Sequence, residues 1–137
     1  MALVRFSISL DEKLLGGFDR KLKRERCPTR SKGVADLIRQ SLVAAEWLQG
    51  GEVAGAIVLV YDHHKPNLMR QLIQIQHDHQ KVILATQHVH LDHDNCLEIL
   101  AVRGHPVEID AASRQLKAIK GLKHVSFAAA TTGKGLA

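Results

Sequence analysis

After Gly50-Gly51 the pattern of apolar residues changes, and the order of patterns that follows restricts the fold more than any other feature of the chain. Residues 53–61 form a nearly continuous apolar run rich in small residues, as a buried strand does. Asp62-His63-His64-Lys65-Pro66 is a turn, with Pro66 suited to the first turn of a helix. Leu68, Leu72, Ile73 and Ile75 carry that helix to about residues 77–79. Residues 82–91 read as a strand and residues 96–102 as its hairpin partner. Gly104 and Pro106 mark a turn, Val107, Ile109, Ala112, Leu116 and Ile119 space a last helix, and residues 124–129 a last strand. Strand-helix-strand-strand-helix-strand predicts an α+β domain of the split βαβ, or ferredoxin-like, arrangement (βαββαβ). The tail, residues 131–137, is expected to fray.

The first third obeys a different grammar. Val4, Phe6, Ile8 and Leu10 alternate with Arg5, Ser7 and Ser9, which predicts a half-buried strand with the apolar set inward. Asp11 can cap a helix running to about Arg26, with Leu14, Leu15, Phe18 and Leu22 on one face. Gly16 and Gly17 each weaken that helix by roughly 1 kcal/mol relative to Ala, which suggests close packing against a neighbour. Pro28 ends it, and Thr29 or Ser31 caps a second helix striped with Val34, Leu37, Ile38, Leu42 and Val43 to about Leu48. Residues 49–52 then form a linker. The expected division is residues 1–48, linker 49–52, a second domain 53–130 and the tail 131–137.

One strand and two helices in fewer than fifty residues do not make a core alone, and a lone strand leaves both edges open. Pairing with the same strand of a second copy answers both problems. The resulting two-stranded ribbon carries Arg5, Ser7 and Ser9 on its outer face, and a ribbon of that width enters the DNA major groove. Arginine grips guanine O6 and N7 with two hydrogen bonds, and serine serves several base edges. The second helix's N-terminus, near Arg30 and Lys32, offers amides and cations to a phosphate. Ten Lys and Arg against six Asp and Glu up to Trp47 place most of the +5 net charge in this segment, as a polyanionic partner requires. The plain alternative is an amphipathic edge strand with ordinary polar residues outside. The module resembles the ribbon-helix-helix family of transcription repressors.

The second domain carries a different chemistry. His88 and His90 stand two apart on a strand and therefore share a face. The turn that follows returns Cys96 beside them, and His77 ends the preceding helix. Three imidazoles and a thiolate suit zinc, copper(II) or nickel(II). His63 is an auxiliary candidate, whereas His64, His79, His93, His105 and His124 are expected to be plain solvent-exposed or supporting residues. Two cysteines, Cys27 and Cys96, are too few for a disulfide scaffold and point to a reducing compartment. No apolar run is long enough to span a bilayer, and the charged N-terminus is unlike a secretory signal, so a cytoplasmic protein with no membrane partner is expected.

The run QHDHQKVILATQHVHLDHDNCLEI, the segment LVYDHHK and the opening VRFSISLDEKLL resemble the nickel-responsive regulators of bacteria and archaea over nearly the whole chain. The resemblance implies a ribbon-helix-helix DNA-binding domain followed by an ACT-type regulatory domain, assembled as a tetramer of two dimers around four regulatory domains. It implies square-planar Ni(2+) held by His88, His90 and Cys96 of one subunit and His77 of a neighbour, with Glu98 supporting the ligands or lying as a plain surface acid. It implies repression of nickel-uptake genes through a double-stranded operator. One departure concerns Lys32, which stands where some members carry an acid that joins Asp36 in a secondary cation site. Two other readings stay open. A metalloenzyme needs an open coordination position and a nearby acid or base, and no HExxH motif is present. A regulator for copper, cobalt or zinc would use the same ligands.

Overall fold

The computed structural model describes residues 2–136. It comprises helices α1 (Glu12–Arg24) and α2 (Arg30–Gln49), strand β1 (Val53–Asp62), helix α3 (Pro66–Asp78), strands β2 (Ile83–His90) and β3 (Asn95–Gly104), helix α4 (Pro106–Lys117) and strand β4 (His124–Ala129). Two compact units divide inside α2, between Gln40 and Ser41.

In the N-terminal unit, Asp11 caps α1 as its sequence position suggests, its carboxylate accepting from the Lys13 and Leu14 amides at 2.9 and 3.3 Å. The helix closes with Arg26 in the left-handed region (φ 56°) and the Cys27 amide returning to the Leu22 carbonyl at 2.9 Å. Thr29 caps α2, accepting from the Lys32 amide at 3.1 Å. The glycine that lets two helices meet is Gly33. A Cβ there would strike the Leu22 side chain and stand 3.0 Å from the Phe18 ring. Gly16 and Gly17, expected to mark a close contact, face only the Arg20 side chain.

Residues 2–10 form neither helix nor strand in the single chain, so the N-terminal strand expected from pairing with a second copy is not shown here. Val4, Phe6, Ile8 and Leu10, expected inward, are exposed, Phe6 by 67%. A strand exists through hydrogen bonds to a neighbour, and one chain supplies none at this position. Val4, Phe6, Ile8 and Leu10 line a cavity of about 680 Å³ with Leu15 and Phe18 of α1, and Arg5, expected on the opposite side, lines it with them.

The second unit is a four-stranded antiparallel sheet in the order β2-β3-β1-β4. Its alternation buries Val53, Ile57, Leu59 and Tyr61 of β1 with Leu100 and Val102 of β3. Leu68 and Leu72 of α3 and Ile109 and Leu116 of α4 complete that core. The architecture is the α+β, split βαβ one predicted. Strand β2 is an edge and is exposed along most of its length. Gly50 takes φ 77° just past α2, a left-handed conformation that glycine adopts with no Cβ penalty.

The last turn of α2 packs within this unit. The Trp47 indole N–H donates to the Ala130 carbonyl at 2.8 Å, and its ring stands edge-on to Phe127 with centroids 5.1 Å apart. The Thr131 hydroxyl donates to Glu46 at 2.7 Å, which anchors the first residue of the expected tail. Among the described residues no helix is long and apolar enough to cross a membrane.

Candidate metal centre

Strand pairing determines which donors meet. The β2–β3 register sets His90 opposite Cys96 and His88 opposite Glu98. Their turn is organised by Asp92, whose carboxylate accepts from the amides of Asp94 (3.0 Å) and Asn95 (2.8 Å) and from the Asn95 side chain. These bonds hold the Asp92 carboxyl below the usual aspartate range, the Asn95 side chain contributing most. The Leu91 amide closes the hairpin on the Asn95 carbonyl at 2.9 Å.

The Cys96 thiol is buried, and its Sγ lies 3.9 Å from His88 Nδ1. His90 is exposed and stands edge-on to His63, ring centroids 5.1 Å apart. His88, His90 and Cys96 thus share one corner of the sheet, although their donor atoms do not all lie within 4.8 Å of one another. His77 is exposed in the last turn of α3 and joins no donor group of three among the described residues. Ring nitrogens beside a thiol form a donor set of the borderline-to-soft kind that takes nickel, copper(II) or zinc. The exposed ring of His90 has room to turn.

Glu98 is no surface acid: it is 1% exposed. Its Oε1 accepts from the Tyr61 hydroxyl at 2.7 Å, and its Oε2 from Thr86 at 2.6 Å and the Gln76 amide at 2.9 Å. His88 Nε2 lies 3.4 Å from the same oxygen, and His88 Nδ1 lies 3.4 Å from the Tyr61 hydroxyl. A carboxylate with three donors of its own is a satisfied buried acceptor, so it holds the His88 ring from one side while Cys96 stands on the other. Burial, then the adjoining Glu98, push the Tyr61 phenol well above its ordinary pKa and keep it a donor. Tyr61, Gln76 and Thr86 escaped sequence reasoning. They come from β1, α3 and β2, and no spacing ties them to the His-Val-His motif.

Of the residues predicted to meet DNA, Arg5, Ser7 and Ser9 are exposed on the irregular N-terminal segment. Arg30 forms a two-pronged pair with Asp19 at 2.9 and 2.7 Å, and Lys32 meets Asp36 at 2.7 Å.

Comparison with known proteins gives the family. Residues 54–130 match the family described as the NikR C terminal nickel binding domain. Three curated relatives are each named "Putative nickel-responsive regulator". That of Syntrophus aciditrophicus is 52% identical over 132 residues, covering 96% of both chains. That of Chlorobium limicola is 49% identical, covering 96% of this chain and 98% of its own. That of Desulfovibrio desulfuricans is 48% identical, covering 98% of each. Among solved structures, an uncharacterized protein from Thermotoga maritima shares the fold, with TM-score 0.53 and 18% identity over 58% of this chain and 98% of its own. The chain therefore belongs to the nickel-responsive regulators and carries their nickel-binding domain.

Proposed function

We propose that this chain is a nickel-responsive DNA-binding repressor, working as a homotetramer of two dimers on a double-stranded operator, with nickel-uptake genes as its targets. The observation that carries this reading is the meeting of the Cys96 thiol with His88, and of His90 with Cys96 across the strands, at an exposed sheet edge. A ligand set left open at an edge is suited to completion by a neighbouring protomer. His77, exposed at the end of α3, is the residue offered outward for that purpose.

In this reading His88, His90 and Cys96 of one protomer and His77 of another hold the ion, and Glu98 with Tyr61 orients His88. When bound, the ion supplies a fixed charge that favours the thiolate and joins donors across the protomer boundary. His77 then fixes the end of its helix against the neighbour. A ligand moves a conformational equilibrium only through its differential affinity for the two states, so donors split between subunits favour the one arrangement that brings them together. A hundredfold gain in operator affinity asks about 2.7 kcal/mol of this coupling, within the ordinary range for allosteric proteins.

Residues 1–48 act as the DNA-binding domain, 49–52 as linker, 53–130 as regulatory and tetramerisation domain and 131–137 as tail. Val4, Phe6, Ile8 and Leu10 border the apolar cavity of the N-terminal unit, and the same segment of a second copy is its occupant. The pair makes a ribbon with Arg5, Ser7 and Ser9 outward for base edges. Arg30 and Lys32 reach phosphate from exposed ion pairs, and exposed pairs are worth so little that exchanging a carboxylate for a phosphate costs little. With Lys32 on Asp36, that carboxylate already has its cation.

The test is a DNA mobility shift with nickel, copper, cobalt and zinc in turn, beside an absorption spectrum of each complex. Nickel-dependent retardation with a thiolate-to-nickel band supports the reading. DNA binding indifferent to every metal, or a stronger response to another ion at equal concentration, overturns it.

A further inference from the structure

A second group of donors lies at the tip of the β2–β3 hairpin, outside the centre described above. His64, in the turn between β1 and α3, meets His93 and Asp94 from the hairpin, and one donor atom from each lies within 4.8 Å of the others. His64 Nε2 is 3.7 Å from Asp94 Oδ1, and the His64 and His93 rings have centroids 5.2 Å apart. His63 stands alongside, its ring 4.0 Å from that of His64. The Nε2 atoms of His63 and His64 both converge on the His93 carbonyl, at 2.9 and 3.1 Å. The two loops are bound by their backbones as well, the His63 amide donating to the Asp94 carbonyl at 3.2 Å. The cluster is therefore set by the fold, although its residues are about thirty apart in sequence.

We infer that His64, His93 and Asp94 form a second site for a first-row divalent transition ion such as nickel or zinc. Bonds of about 2.1 Å place neighbouring ligands roughly 3 to 3.5 Å apart, which small rotations of exposed side chains achieve from the present spacing. Two imidazoles select against calcium and magnesium, which take oxygen cages, and favour the ions that imidazole suits. Three exposed donors leave coordination positions to water, so this site is weaker than one containing a thiolate. Its ion clips the β1–α3 turn to the hairpin that bears His90 and Cys96, so filling it steadies the strand pair on which those residues stand. The sequence offered only isolated surface histidines here, because His64 and His93 become neighbours through the sheet.

Equilibrium dialysis of the full chain against nickel(II) alone, with metal analysis and absorption, tests the inference. The unmodified chain should take up about two ions, and His88→Ala/Cys96→Ala and His64→Ala/His93→Ala about one each, the first without thiolate absorption and the second with it. Far-UV circular dichroism checks that both variants are folded, and His64→Gln alone should weaken the second uptake if the double variant is not. The inference is overturned if the His64/His93 variants take up as much nickel as the unmodified chain. It is equally overturned if the folded His88/Cys96 variant takes up none. Failure of the thiolate centre shows separately, as missing thiolate absorption in the unmodified chain.

Discussion

Replacing Tyr61 with Phe removes one buried oxygen and leaves the ring packing in place. Tyr61 is fully buried, and its hydroxyl donates to Glu98 Oε1 at 2.7 Å. Thr86 and Gln76 both serve Oε2, so the substitution leaves Oε1 without a donor where water does not reach. Losing a hydrogen bond to a charged acceptor in such a place costs about 1.5–3 kcal/mol. Total stabilities are about 5–15 kcal/mol, so this is a sizeable fraction. At about 4–8 °C per kcal/mol for a domain of this size, the melting temperature should fall by roughly 6–24 °C. The hydroxyl also lies 3.4 Å from His88 Nδ1, so the ring loses a neighbour that limits its rotation. Groups that orient metal ligands are worth about 10- to 100-fold in metal affinity, and the lower end is expected because Glu98 keeps its own contact with His88. Urea unfolding followed by circular dichroism, and nickel competition against a chelator, measure the two effects. A stability within about 0.5 kcal/mol of the unmodified protein, an ordinary surface effect, together with unchanged nickel affinity would refute the reasoning.

Three further outcomes follow from the same structure. The Arg30 hydrogen bond holds the Asp19 carboxyl below the ordinary aspartate range, so its contribution is present above that range and disappears as pH falls through the lowered folded value. Asp19→Asn should therefore give a shallower loss of stability below about pH 4 than the unmodified chain, read by thermal melts across pH. Gly33→Ala should cost about 1–3 kcal/mol through collision with Leu22 and Phe18, less the roughly 1 kcal/mol that alanine returns as a helix former, a net loss of about 0–2 kcal/mol; a raised melting temperature would contradict it. Trp47→Phe keeps the ring against Phe127 but loses the donor to Ala130, so it should cost about 1 kcal/mol and speed proteolysis of the tail.

Much of the second unit was legible because its signals are local. Period-two burial in β1 and β3, Pro66 and Pro106 opening their helices, and Gly104 closing a strand all agree with the observed elements. Period two also places Glu98 on the buried side with Cys96 and Leu100, so the surface-acid reading was the weaker of the two. Its partners were not legible, since Tyr61, Gln76 and Thr86 reach it from three elements through the sheet register. The cluster of His64, His93 and Asp94 was missed for the same reason. At the N-terminus the alternation of Val4 to Leu10 is a statement about sides, not hydrogen bonds, and a strand needs the second. Gly16 and Gly17 look like contact glycines by type, but contact depends on which face meets a neighbour, and in one chain that is the face of Gly33.

The central proposal, one ion shared between two protomers, is tested most directly by mixing subunits. His77→Ala and Cys96→Ala each remove a ligand, and each variant alone should show no thiolate-to-nickel absorption and no nickel-dependent DNA retardation. Unfolded and refolded together, they should regain the absorption at about one site in four, because a protomer retaining Cys96 then neighbours one retaining His77. If the mixture stays as silent as its parts, the four donors are not divided between chains and the account is contradicted.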